Sequence, residues 1–263
     1  MNDWNADLYN RFGKERKQPA IDLVNRIDKS KNIRRIIDIG CGTGMSTIPL
    51  KNNWENAEII GVDNSDSMLE KARELNQQIK WLKWDCNKPI NNLGKFDLVF
   101  SNAALQWLKD QAYVIGNLSN ILNQNGILAM QIPNLTDMAI NLSIQKIVDQ
   151  WVGVELEGME KEICICHGVE FYYTQLTKYF RKIDLWQTSY YHIMNSHEEI
   201  LEFYKSTGLR PYLNRLDDKG KDRFLTALLE ELKLQYKIQE NNKLLFEFNR
   251  IFFLATERLE KSS

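Results

Sequence analysis

The 263-residue sequence has no apolar stretch approaching the ~20 residues needed to span a bilayer, so no membrane-spanning helix is expected. It also lacks an excess of charge of either sign. Its 34 Lys and Arg against 35 Asp and Glu leave a formal charge of −1 at pH 7, which argues against a nucleic-acid partner, since that needs a basic face to neutralise phosphates. The opening Met-Asn-Asp-Trp-Asn-Ala-Asp has neither the basic region nor the apolar core of an export signal, and a cytoplasmic location is expected. Cysteine is scarce: Cys41, Cys86, Cys164 and Cys166 show no disulfide-framework spacing, as suits a reducing compartment. In Cys164-Ile-Cys166-His167 three zinc-type ligands crowd together, but a closed site needs a fourth, and His192 and His197 stand at no finger-like spacing. No metal is expected, and these thiols read as small buried hydrophobes. Internal repeats and low-complexity linkers are absent.

Residues 36 to 44, Ile-Ile-Asp-Ile-Gly-Cys-Gly-Thr-Gly, carry the most information. An apolar strand ends in an acid and three alternating glycines. Gly40, Gly42 and Gly44 lack the Cβ that would block a ligand from the main chain, and Met45 to Lys51 is expected to begin a helix with its free N–H groups toward an anionic group. The third glycine comes one residue too early for G-x-G-x-x-G, and no Gly-Lys-Ser/Thr follows to hold a nucleoside triphosphate. A second apolar run, Ala57 to Val62, ends in Asp63, about twenty residues after the glycines, where nucleoside-binding folds put a carboxylate on the ribose hydroxyls. Ile79 to Trp84 then ends in Asp85-Cys86, and Phe96 to Phe100 in Ser101-Asn102.

Helical spacing in Gln18–Ile27 (Ile21, Leu23, Val24, Ile27), Ser65–Asn76 (Met68, Leu69, Ala72, Leu75) and Asp110–Leu122 alternates with these strands, followed by a fifth strand over Gly126–Ile132. Such alternation implies an α/β fold, a doubly wound, mostly parallel sheet with ligands at the carboxyl ends of the strands. Ile183–Tyr190 and Arg250–Thr256 complete seven strands. One domain over 1–263 is expected, with residues 30–133 as cofactor-binding core and 134–180 and 197–245 as helical insertions forming a lid. A leucine stripe, Leu225, Leu228, Leu229 and Leu232, reads as core packing within the second.

The D-x-G-x-G-x-G run resembles the first motif of the class I S-adenosylmethionine-dependent methyltransferases, a Rossmann-like fold. That resemblance implies S-adenosylmethionine as cofactor. It implies contacts from Asp38, Gly40, Cys41, Gly42 and Gly44 in the loop, from Asp63 with Asn64 at the ribose, from Asp85 with Cys86 at the adenine, and from Asn102 under the sulfonium. Asn102 reads equally well as a polar residue ahead of a helix. Further segments narrow the resemblance: Trp4-Asn5, Leu8-Tyr9, Phe12, Glu15-Arg16, Ser101 to Trp107, Gly168-Val169, Tyr172-Tyr173, Trp186 to His192, Thr207-Gly208-Leu209-Arg210-Pro211 and Gln239-Glu240-Asn241. In this order they are similar to the trans-aconitate 2-methyltransferase family. Glu170 departs from it, standing where members can carry a histidine, and an added negative charge is unfavourable near a polycarboxylate.

The resemblance implies methyl transfer to a carboxylate oxygen of a small polycarboxylate. With an ordinary pKa near ~4 that group is already ionised at neutral pH, so no general base is needed and no catalytic side chain is assigned. Arginine forks suit the remaining carboxylates. Arg210 and Arg250 are expected there, with Gln106, Trp107, Tyr191 and His192 as pocket walls and Arg16 serving the substrate or the methionine carboxylate of the cofactor. For Trp107 plain core packing is an equal reading; for any one arginine a solvated surface position is the more usual one, which Arg210 escapes best, in its Gly-Leu-Arg-Pro turn between aromatic segments. Another small acid or an acyl thioester as acceptor stays open, as does a non-catalytic cofactor-binding protein. Nucleic-acid amine methylation is disfavoured, because Asn102-Ala103-Ala104-Leu105 replaces the Asn-Pro-Pro-Tyr/Phe type of motif. Oligomeric state is not legible.

Overall fold

The computed structural model describes residues 13–90, 92–151 and 164–260. The segments at Trp4, Leu8 and Phe12, and part of the expected first insertion, lie outside them. Strands β1 (Arg35–Ile39), β2 (Glu58–Asp63), β3 (Lys80–Lys83), β4 (Phe96–Asn102), β5 (Leu122–Pro133), β6 (Phe180–Met194) and β7 (Leu244–Arg258) form one sheet, ordered β3-β2-β1-β4-β5-β7-β6. β1 to β5 pair in parallel, and β7 runs antiparallel between β5 and β6. This is the expected doubly wound, mostly parallel seven-stranded sheet.

Both faces of the central strands are covered, which is why they read as nearly unbroken apolar runs. On one face Ile36, Leu98, Phe100, Ala129 and Phe252 pack against α1 (Gly13–Arg26), α2 (Ile48–Asn53) and α3 (Asp66–Leu75). On the other, Ile37, Val99, Leu128 and Phe253 meet α4 (Gln111–Asn120) and α6 (Val169–Leu176). α3 begins where the Ser65 hydroxyl accepts from Met68 N at 3.3 Å and buries Met68, Leu69 and Ala72. Leu75, expected on that stripe, is exposed at the last turn.

The insertions differ from expectation in one respect. α5 (Ala139–Trp151), α7 (His197–Lys205), α8 (Arg210–Leu213) and α9 (Asp218–Gln235) share a separate apolar cluster with Phe246 and Phe248, whereas α6 buries Tyr172 and Leu176 in the sheet core. Residues 169–180 are therefore part of the sheet layers. The leucine stripe of α9 is core, as expected, with Leu228 and Leu232 fully buried. β6 and β7 are also longer than expected, 15 residues each, because their ends run past the sheet's carboxyl edge to carry this helical cap. Along β7 the side chains alternate in burial from Leu244 to Phe248 and are continuously buried from Arg250 to Phe253, recording one covered face and then two. The cap and the amino-terminal half of α1 thus meet over the strand ends.

Candidate active site

The glycine loop follows β1 with φ values of +69° at Gly40, +55° at Gly42 and +81° at Gly44. Gly40 and Cys41 donate to Val62 O at 2.8 and 3.0 Å, folding the loop over the end of β2. A Cβ at Gly40 would lie 2.2 Å from the Ala104 Cβ and one at Gly44 2.7 Å from the Trp81 ring, whereas at Gly42 it would meet nothing within 4 Å. Two glycines are thus needed for packing, and Gly42 alone borders open space. The helix expected from Met45 starts only at Ile48, because Thr47 and Ile48 donate to Gly44 O in a turn and Pro49 occupies the first helical turn. Its first N–H groups are therefore one turn away from the glycines.

Two acids brace this loop. The Asp63 Oδ2 accepts from Gly42 N and the Oδ1 from Ser65 N, both at 2.9 Å, so the carboxylate ties the loop to the end of β2 with Asn64 between its anchors. Asp38 is fully buried, its Oδ2 accepting from Thr47 Oγ1 at 2.6 Å while its Oδ1 has no partner. Burial raises its pKa to about 7, opposed by the Thr47 bond and reinforced by the charge of Asp63. Since the folded value exceeds the unfolded one, this group's stabilisation is complete below pH ~4 and fades as pH rises toward 7. Asp85 caps its own loop, accepting from Asn87 N at 3.0 Å and Asn87 Nδ2 at 2.9 Å. The Cys86 thiol beside it is pushed up to about 12 by burial and by Asp63 and Asp85, and Cys41 is raised likewise, so both remain thiols.

At the end of β4, Ala103 adopts φ +54°, held by its N–H to Gln131 O at 2.9 Å and by its carbonyl, which accepts from Gln106 Nε2 at 2.7 Å. This turn leaves the Asn102 Oδ1 buried without a partner. Gln106 is buried, and Trp107 is half-buried in the short helical turn Leu105–Trp107. The Gln106 carbonyl also accepts from Ile165 N at 2.8 Å, bringing the two-cysteine segment against the turn that follows β4. Cys164 and Cys166 place their sulfurs 3.7 Å apart. Among the described residues no group of three or more His, Cys, Asp and Glu is arranged to hold a metal.

The positive side lies where α1 and β7 meet the cap. Arg16 is 8% exposed and donates through Nη2 to Phe203 O at 3.2 Å and Ser206 Oγ at 2.6 Å, with its guanidinium 4.9 Å from the Phe203 ring. Arg250, 6% exposed, lies over Phe248 at 4.1 Å. His192 sits among Phe203, Phe246 and Phe248, and its Nε2 has no partner. Burial first, then the charges of Arg250 and Arg16, lower its pKa to about 4. The two guanidinium groups thus lie over Phe203 and Phe248, the rings that also pack on the His192 imidazole. Arg210 stands half-buried at the start of α8, its backbone N–H on Thr207 O at 3.1 Å. Tyr191 is not brought to this cleft: it alternates with Tyr190 and His192 onto the opposite face and is 58% exposed. Tyr190 takes the inward place, donating to Asp22 Oδ2 at 2.6 Å.

Residues 30–198 match a family described as a methyltransferase domain. The chain is also 37% identical to the trans-aconitate 2-methyltransferase of Enterobacter sp. (strain 638), and 36% identical to that of Escherichia coli O157:H7 (strain EC4115 / EHEC). Each match spans 257 residues, 97% of this chain and 98% of the relative. The chain belongs to the trans-aconitate 2-methyltransferases. Its fold is that of phosphoethanolamine N-methyltransferase 2 from Haemonchus contortus, solved with S-adenosyl-L-methionine, with a TM-score of 0.59 at 17% identity over 97% of this chain and 57% of that one.

The protein is thus an S-adenosylmethionine-dependent methyltransferase, and the strand ends fit that cofactor. Gly42 offers main chain with no side chain in the way, Asp63 has paired acceptors at the loop, and the Asp38 Oδ1 and Asn102 Oδ1 are buried without partners beside it. Among the described residues no helix is long and apolar enough to cross a membrane. Sequence reasoning missed Thr47, Tyr190 and Gln131. The glutamine had a readable signal, a polar residue inside the apolar run Ile127 to Ile132; the phase of Tyr190 against Tyr191 depended on which face of β6 the cap covers.

Proposed function

We propose that this enzyme forms a methyl ester on one carboxylate of a small polycarboxylate, with trans-aconitate as the acceptor, and that residues 30–133 bind the cofactor while the helices of residues 139–151 and 197–235 form a lid. The observation that carries this is the pair Arg16 and Arg250, both buried and lying over Phe203 and Phe248, the rings that also pack on His192. Buried cations aimed at one cleft suit an anion with several carboxylates. Asp63 and Asn64 would hold the ribose, the loop from Asp38 to Gly44 would border the cofactor through its main chain, Asp85 and Cys86 would hold the adenine, and Asn102 would face the sulfonium. The cofactor supplies an electrophilic methyl group on a positively charged sulfur. Arg250, with Arg16 and Arg210, holds the carboxylates that are not methylated, and Gln106, Trp107 and His192 wall the pocket, so that one oxygen is presented in line and water is kept out.

No residue removes a proton, since the acceptor oxygen is already ionised. His192, held neutral down to about pH 4, forms part of the wall only. Its folded pKa lies below the unfolded one, so its contribution to stability is intact above ~6.5 and is lost as pH falls toward 4. No step in the activity profile is accordingly expected from His192 between pH 6 and 8, and activity is expected to fall as the acceptor protonates. His192→Asn is expected to lower kcat by less than about 10-fold. Steady-state kinetics across pH check both points. A loss near ~10³-fold in kcat with acceptor binding intact would assign His192 as a base and refute direct attack by the carboxylate.

A further inference from the structure

One buried side chain at the strand ends has no structural partner. Gln131 is 0% exposed, lies on β5, and neither its Nε2 nor its Oε1 makes a hydrogen bond. Leaving both ends of a buried amide unsatisfied is costly, and native cores seldom do so without cause. Its position is informative. Gln131 pairs with Asn102 of β4 on one side and with Phe252 of β7 on the other, so the three side chains share a face. One rung nearer the strand end, Pro133 pairs with Arg250 on that same face. Gln131 therefore stands between the Asn102 Oδ1, itself unpartnered, and the Arg250 guanidinium. Its backbone carbonyl, accepting from Ala103 N at 2.9 Å, fixes it level with the turn that ends β4.

We infer that Gln131 is a substrate-positioning residue of the methyl transfer: its Nε2 donates to the carboxylate being methylated, while its Oε1 joins the Asn102 Oδ1 in facing the sulfonium. The inference rests on the functional proposal above, since it needs an acceptor whose unmethylated carboxylates are held by Arg250 on one side and a cofactor over Asn102 on the other. A carboxylate between them has lone pairs for the amide, and the positive sulfur attracts the two carbonyl oxygens. An amide is suited to this place because it carries a donor and an acceptor without a charge. A lysine there would repel the sulfonium, and a carboxylate would repel the acceptor.

Gln131→Met separates this role from a structural one, because methionine matches the volume and removes both polar ends. Three measurements are made against wild type: the melting temperature without ligand, calorimetric affinity for S-adenosylhomocysteine, and KM for trans-aconitate. The variant is expected to melt about 2–4 °C higher, since an unsatisfied amide has gone. It is expected to bind the product cofactor as before and to raise KM at least about 10-fold, as for loss of a hydrogen bond to a charged group. An unchanged KM, a parallel loss of cofactor affinity, or a lower melting temperature would each overturn the inference. Failure of the wild-type enzyme to methylate any polycarboxylate would instead count against the functional proposal, and the melting comparison would still decide whether the amide is structural.

Discussion

Arg250→Met is expected to raise KM for a tricarboxylate at least about 30-fold while leaving the affinity for S-adenosylhomocysteine within about 2-fold and KM for a monocarboxylate nearly unchanged. Truncating one partner of a buried, charge-assisted pair typically costs about 2–5 kcal/mol, and at this site the penalty falls on a carboxylate left facing an apolar wall of Phe248 and Phe252. Methionine keeps much of the side-chain volume against Phe248, so lost packing is a minor contributor. Lysine is expected to restore only part of the effect. Its point charge preserves the attraction but not the two-pronged geometry, so a residual penalty of roughly 1–2 kcal/mol, about 5- to 30-fold, should remain. Because the group is buried, the defect is expected to persist at high salt, unlike that of a surface charge. Equal losses on mono- and tricarboxylates would return Arg250 to a packing role.

Asp63→Ala is expected to weaken cofactor and product-cofactor binding by at least about 10-fold, and by more than the ribose contacts alone would give. Each carboxylate oxygen accepts one backbone N–H, from Gly42 and from Ser65, at the loop where the ribose hydroxyls are proposed to bind. The substitution therefore removes both the ligand acceptor and the tether of the glycine loop. A hydrogen bond to a charged group contributes about 1.5–3 kcal/mol, which sets the lower bound. Asp63→Asn keeps one acceptor oxygen and is expected to fall between the two. Calorimetry measures all three, and an unchanged affinity in Asp63→Ala would remove Asp63 from the cofactor site.

Local chemistry explains what is legible in the sequence. The loop after β1, the acid ending β2 and the cap of α3 are each set by a few adjacent residues, so glycines, a carboxylate and a serine announce them. The helix after the loop starts three residues later than the sequence implies, because a turn on Gly44 intervenes and its bonds are not encoded by periodicity. Phase on β6 needs tertiary information: Tyr190 and Tyr191 are equally plausible pocket residues until the cap covers one face. The same holds for α6, whose Tyr172 and Leu176 could face the cap or the sheet and are buried in the sheet. The convergence of Arg16 and Arg250 joins residues 234 positions apart, a distance across which no local pattern reports. Arginine as the residue type follows from the chemistry of a polycarboxylate, while the pair that flanks His192 emerges only from the fold.

The most direct measurement is methyl-ester formation by the wild-type enzyme with S-adenosylmethionine across a panel of mono-, di- and tricarboxylates that includes trans-aconitate, with products identified by mass spectrometry and kcat/KM obtained for each. A clamp built from buried arginines predicts that kcat/KM rises with the number of carboxylates, that trans-aconitate leads the panel, and that the product is a monomethyl ester. Equal rates on acetate-like and tricarboxylate acceptors, or methyl transfer to nitrogen or carbon in place of a carboxylate oxygen, would contradict it.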